Sequence, residues 1–383
     1  MAGIRSQKSL VERTFPKALF VYHYRKEVFM DETYGYTTTK QQIEKLESQK
    51  LKIDDRTLAE RLLNTYGYYN IINGYRDPYI TREYDKKYYT KGITFEQLFQ
   101  LFIFDHTIRD SISLAMIDLE EHLRAIVADI IAESFGTDHN VYLRKNNYRD
   151  KRTRHSHFSR NAILDKLKKN AEECPYDPIK YYRNKYHVVP PWILMKGTYF
   201  NTLVNFTRFF KKNERDKLVS TLFGNKVNND NIEDMKDLLS DVLFMCLEYR
   251  NLAAHGGRVY NYVPKASLRA CADTNIQAGL HQLVYALDQF DYNQPFERVK
   301  NSINHALTNY CKSFPDDLIR LEKVTGLKIE VHTKVWINEN TRKYHSKRHC
   351  SGSNLERRVD ISIAEDEGYA PCQKCAKNIV SVI

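Results

Sequence analysis

Between Glu248 and Asn261 the sequence reads EYRNLAAHGGRVYN, which brings an arginine, an amide and a histidine together. On a helix, Asn251 and His255 are four apart and share one face, and Arg250 beside them is long enough to reach the same point. Cutting RNA without a metal requires a group that exchanges protons with the 2′-hydroxyl or the leaving oxygen. It also requires fixed cationic donors for the crowded phosphate. His255 and Arg250 are of the types that supply these, and the macrodipole at a helix C-terminus favours a charged imidazole. A plainer reading stands beside this one: an arginine near a helix end, followed by Gly256 and Gly257, is ordinary capping.

A second constellation lies near the C-terminus. KYHSKRHC and GYAPCQKC offer His345 and Cys350, then Cys372 and Cys375, two ligand pairs about twenty residues apart. Three thiolates and one imidazole would close a tetrahedral zinc site with no open position, which suits a structural metal rather than a catalytic one. The turn at Pro371 would present both sulfurs of the second pair to one ion. His349 is less suitable than His345, because adjacent residues rarely orient toward the same ion. The basic surround of Lys343, Lys347, Arg348, Arg357 and Arg358 either touches RNA phosphates or is a solvated face. The other cysteines, Cys174, Cys246, Cys271 and Cys311, are scattered. An odd total of seven without an export signal argues against a disulfide framework.

Helices must position the first constellation. Leu98, Leu101, Ile108, Ile112, Ala115, Leu119, Leu123, Ile126 and Ile130 recur at three or four from Thr94 to Phe135, and Gly136 stops the run. Ile232, Met235, Leu238, Leu239, Val242, Cys246 and Tyr249 form a stripe leading to Arg250, with capping-box-like spacing at Asp230 and Glu233. Thr38 or Thr39 caps the first periodic segment. A further helical stretch spans about Asn275 to Cys311. After Gly326 the pattern LKIEVHTKVWI alternates in the manner of strands. These features predict a mainly α fold with a small α+β zinc-binding C-terminal domain: a basic arm over 1–38, a helical domain over 39–320 and the zinc module over 327–383.

A net charge of +11 together with 27 Tyr and 18 Phe suits a partner that offers phosphates and stackable bases. The segment 144–160, RKNNYRDKRTRHSHFSR, has no apolar period and reads as a mobile RNA-binding stretch through Arg144, Lys145, Arg149, Lys151, Arg152, Arg154 and Arg160, with Lys347 and Arg348 added from the zinc module. Glu120 with Arg124, and Asp105 with Arg109, read as helix-surface ion pairs. Tyr68, Tyr69, Asn70, Asn73 and Tyr75 either stack on RNA or form an aromatic core edge. No apolar run approaches the length needed to span a bilayer, so a soluble cytoplasmic protein without a membrane partner is expected.

Several ordered motifs resemble the bacterial Abi-like (abortive infection) family: TTKQQIEKLESQKLKI, NIINGYRDPY, LFIFDHTIRDSI with LEEHLRAIV, PPWILMKGTYFNTL and YRNLAAHGGRVYN. The likeness covers most of Thr39 to about Asn293. It implies a HEPN-type helical bundle, a superfamily whose R-x4-6-H motif marks metal-independent endoribonucleases and maps here onto Arg250, Asn251 and His255. It further implies a phage-defence or toxin role, a small noncoding RNA partner, no metal in the cleavage step, and a homodimer that brings two motifs together. A noncatalytic RNA-binding protein is the alternative. Relatives commonly carry a second histidine directly after the first, where this chain has Gly256. Residues 334–377 resemble the small zinc-binding domain of Ada-type repair proteins, with His345 in place of one of four cysteines, a change that argues against alkyl transfer.

Overall fold

The computed structural model describes residues 35–83, 86–150, 158–265, 268, 279–327, 334–350, 352–355 and 357–376. The arm over 1–34 and Lys151, Arg152 and Arg154 lie outside them. The chain opens with α1 (Thr39–Ser48) and α2 (Arg56–Tyr66), a π-helical turn at Tyr69–Asn73, and the hairpin β1 (Ile80–Glu83) and β2 (Lys86–Tyr89). Then come α3 (Phe95–Phe135), α4 (His139–Tyr142), α5 (Arg160–Glu173), α6 (Ile179–Tyr186), α7 (Pro191–Lys196), α8 (Phe200–Thr207), α9 (Lys212–Phe223) and α10 (Ile232–Ala254). The helical part ends with α11 (Gly279–Asp288), α12 (Gln294–Ser313) and α13 (Leu318–Thr325). Among the described residues, no helix is long and apolar enough to cross a membrane.

Thr38 caps α1 in a full capping box with Gln41, and the Thr94 hydroxyl accepts from the Gln97 amide to start α3. α3 is 41 residues, about 60 Å at 1.5 Å per residue, and packs against α7, α8, α9, α10 and α12. Neighbours on several sides explain why its buried set, from Phe95 to Ile131, is wider than one stripe. On α10 the stripe Leu239, Val242, Cys246 and Tyr249 is buried as its spacing requires.

Three local expectations are corrected. Asp230 and Glu233 do not cap α10: the N-cap is Asn231, without a side-chain cap bond. The helical stretch expected over about 275–311 is two helices, α11 and α12, parted at Gln289–Asn293, with Pro295 near the new N-terminus where its missing N–H does no harm. The segment 144–160 is anchored at both flanks rather than mobile there. Tyr148 is buried, the Arg149 amide and Nε bond the Phe209 and Arg208 carbonyls at 2.8 Å each, and Arg160 donates to the Lys145 and Tyr148 carbonyls and pairs with Asp150.

A buried polar knot ties α12 and α13 to α3. Asp317 accepts from the Tyr79 and Tyr310 hydroxyls at 2.5 Å each and from Gln97 Nε2 at 3.0 Å, and Arg320 pairs with it at 3.0 Å. Burial pushes the Asp317 carboxyl up, but these donors outweigh it and hold the group below the ordinary carboxylate range.

The C-terminal part is a four-stranded sheet in the order β7 (Arg358–Asp360), β3 (Lys334–Asn338), β4 (Lys343–His345), β8 (Ala370–Pro371), with the hairpin β5 (His349–Cys350) and β6 (Ser353–Asn354) and the helix α14 (Ile361–Asp366). β4 pairs antiparallel with β3 and parallel with β8. Its apolar cluster, including Val335, Ile337, Tyr344, Ile361 and Tyr369, shares no residue with the cluster that runs from Ile43 to Leu321. The fold is mainly α with a small α+β part, as the patterning predicts.

Candidate functional site

α10 ends at Ala254, with His255 at the C-cap and Gly256 in the left-handed region at φ 70°. The Gly257 amide bonds the Leu252 carbonyl at 2.9 Å and the Gly256 amide bonds the Ala253 carbonyl at 3.2 Å, the two bonds of a Schellman motif. Both positions favour glycine. A side chain at Gly256 would be strained by the backbone angle, and a Cβ at Gly257 would fall 2.2 Å from the Leu252 side chain. The left-handed angle favours glycine at the position where a second histidine is expected but does not exclude histidine, since His187 caps another helix at φ 57°.

Asn251 and His255 are exposed and one helical turn apart, joined by the His255 amide bond to the Asn251 carbonyl at 3.2 Å. Arg250 is half-buried, and its Nη1 reaches Asn251 Oδ1 at 3.5 Å. The helix end therefore presents an imidazole, an amide and a guanidinium together.

What holds this end in place comes largely from α3. Arg109 Nη1 donates to the Gly256 carbonyl at 3.1 Å. Asp105, fully buried, accepts the Val259 and Tyr260 amides at 2.9 and 2.8 Å and the Tyr75 hydroxyl at 2.7 Å. Arg258 donates to the Gly74 carbonyl, and Glu248 accepts from the Tyr262 hydroxyl at 2.8 Å and the Lys265 amide at 3.0 Å. Asp105 and Arg109 are thus two separate clamps on the chain after His255, not the surface ion pair expected of them. The expected Glu120–Arg124 pair does form, and Arg124 also bonds the Thr198 carbonyl. A signal for Asp105 was present: it occupies the apolar register of Leu101 and Ile108, where a carboxylate is tolerated only with dedicated donors. The aromatic stretch divides: Tyr75 is core, stacked on Tyr260, whereas Tyr69 is 75% exposed.

Asp105→Ala should destabilise the chain by about 3–5 kcal/mol, because it strands two amides and a hydroxyl in the interior, each at about 1–3 kcal/mol. Asp105→Asn, which keeps an acceptor for the amides, should cost less. Burial, outweighing its three donors, raises the Asp105 pKa. Its stabilising share is therefore full below the unfolded carboxyl pKa and is lost as pH rises through the folded value, so the Asn variant should gain on wild type over that rise. Denaturant midpoints measured across pH check both statements; an Ala variant within about 1 kcal/mol of wild type would refute the clamp.

In the C-terminal sheet, His345, Cys350, Cys372 and Cys375 place one ligand atom each within 4.8 Å of all the others and could hold a metal ion. Cys375 Sγ lies 3.5 Å from His345 Nδ1, and Cys350 Sγ lies 4.0 Å from Cys372 Sγ. Tetrahedral zinc with its usual bond lengths separates sulfurs by about 3.8 Å and sulfur from nitrogen by about 3.5 Å, so the set fits that ion. The Cys372 amide bonds the Tyr344 carbonyl and the Ala376 amide bonds the Cys372 carbonyl, which wraps the C-x2-C pair against β4. Burial raises the Cys372 thiol, but amide donors from Lys374 and Cys375 and the neighbouring thiols hold it below the usual value. Burial, then Lys343, lowers His345 and so favours the neutral imidazole a metal needs. None of the described cysteines is in a disulfide, and His349 is exposed on β5, apart from the set.

Of the residues expected to meet RNA, Arg144, Lys145, Lys347 and Arg348 are exposed, while Arg149 and Arg160 are half-buried and bonded to backbone carbonyls. No curated protein and no solved structure matches the chain. A family model described as Abi-like protein matches residues 61–261, more than half of the chain, from α2 to just past the exposed histidine.

Proposed function

The chain belongs to the Abi-like family, which points to phage defence by abortive infection, and from that premise we propose that it is a HEPN-type endoribonuclease acting through Arg250, Asn251 and His255. The observation that carries this reading is the exposed imidazole and amide on a helix end clamped from a second helix, with an arginine hydrogen-bonded to that amide. A rigidly held polar group is what positioned acid–base chemistry requires.

In this reading the 2′-oxygen of the substrate attacks the adjacent phosphorus, and the bond to the 5′-oxygen of the next nucleotide breaks. His255 exchanges a proton with one of these oxygens and solvent water with the other, so that the 2′-hydroxyl loses a proton and the 5′-oxygen gains one; Arg250 offsets the charge on the phosphate, and Asn251 orients the guanidinium. The products are a cyclic 2′,3′-phosphate and a free 5′-hydroxyl. The form with an asparagine after the arginine, R-N-x3-H, occurs once in the chain, at Arg250–His255, so two chains facing each other would complete the centre. A small noncoding RNA is the proposed partner, and zinc at His345, Cys350, Cys372 and Cys375 keeps the basic Lys347–Arg348 turn folded.

Incubation with RNA in excess EDTA should yield fragments with cyclic 2′,3′-phosphate ends. RNA that is bound but never cut would favour the noncatalytic reading, in which the same residues only cap a helix and hold phosphate. Binding should weaken steeply with salt, and neutralising Lys151, Arg152 and Arg154 together should reduce the log–log slope by about 2, at about 0.7 per single-strand phosphate contact. An unchanged slope would place that segment off the RNA path.

A further inference from the structure

Apart from the α10 end, α5 and the start of α8 line a half-open pocket of about 290 Å³, with Lys166, Lys169 and Asn170 on one side and Thr198, Tyr199 and Thr202 on the other. Small-molecule sites span roughly 300–1,000 Å³, so this one has room for a single base or a ribose phosphate rather than a large cofactor. Two of its groups, the ammoniums of Lys166 and Lys169, are donors only. Arg124 and Asn170 already bond the Thr198 and Gly197 carbonyls, at 2.9 and 3.2 Å, which occupies the acceptors of this turn. The first-turn amides of α8 have no side-chain cap. Lys166 Nζ donates to the buried Thr202 hydroxyl at 2.8 Å, leaving further N–H donors on the ammonium. The one carboxylate in the lining, Glu173, pairs with Lys169 at 3.7 Å.

Tyr199, 72% exposed, stands at this cavity with Lys166 Nζ 5.7 Å from its ring centroid. A ring beside a cation and a set of amide donors matches a base with its phosphate. The formal charge of +11 favours a polyanion over a neutral ligand. We propose that this cavity binds one nucleotide of single-stranded RNA, the base stacked on Tyr199 and the phosphate held by Lys166. The assignment rests on the RNA-binding part of the function proposed above and adds a site separate from Arg250, Asn251 and His255.

The test is fluorescence anisotropy with a short 2′-O-methyl single strand, which lacks the attacking hydroxyl and so reports binding alone. Tyr199→Ala should weaken binding by about 5- to 150-fold, the range for one stacked base, whereas Tyr199→Phe should bind as wild type does. Lys166→Gln should lower the salt slope by about 0.7, one phosphate contact. Circular dichroism should show both variants folded, since Tyr199 and Lys166 are exposed. Wild-type affinity in Tyr199→Ala and Lys166→Gln together would overturn this site while leaving RNA binding intact. Absence of salt-sensitive binding by wild type would overturn both readings. Tighter binding of free nucleoside monophosphates than of the strand would overturn RNA as the occupant.

Discussion

Replacing His255 with alanine should slow RNA cleavage by about 10²- to 10⁴-fold, the usual contribution of a positioned general acid or base. The fold should survive, because His255 is exposed and its backbone, not its side chain, makes the C-cap bond to Asn251. RNA affinity should change little if, as proposed, phosphate contacts elsewhere carry it. Arg250→Lys should also lose most activity: it keeps the charge but not the planar fork that can hold Asn251 and a phosphate oxygen at once. The measurements are single-turnover cleavage rates in EDTA, with thermal unfolding as the control. Wild-type rates in His255→Ala would end the catalytic assignment and leave the helix end as a cap.

Removing the metal should have the largest structural effect. Purified chain should carry one zinc, with three sulfurs and one nitrogen around it by X-ray absorption, as expected for His345, Cys350, Cys372 and Cys375. Structural zinc contributes roughly 10–16 kcal/mol to small domains, more than a separate cluster of a few buried side chains such as Val335, Tyr344 and Ile361 can replace. A strong chelator or Cys372→Ser should therefore unfold residues 334–376, seen as lost amide protection, while α3 and α10 keep theirs. Cleavage dependent on His255 should persist in Cys372→Ser if the C-terminal part only holds RNA. A chain without zinc, or one that keeps it in Cys350→Ser, would defeat the assignment.

Local rules carried much of this molecule. The three- and four-residue recurrence along α3 and α10 is a property of each helix alone, so their extents were readable before any packing was known. The cysteine and histidine spacing likewise points to a set that could hold a metal, because two short-range pairs need only one long-range meeting. Gly256 and Gly257 announced the end of α10 for the same local reason. Tertiary structure alone decided the rest. Whether Asp105 pairs with Arg109 or clamps Val259 and Tyr260 depends on which amides α10 delivers to α3, residues more than a hundred positions away. The same holds for Asp317, whose donors come from Gln97, Tyr79 and Tyr310, and for Arg149, drawn from an apparently free basic run to the Arg208 carbonyl. A buried charge takes whichever donors the packing supplies, and sequence spacing carries no record of a partner on another helix.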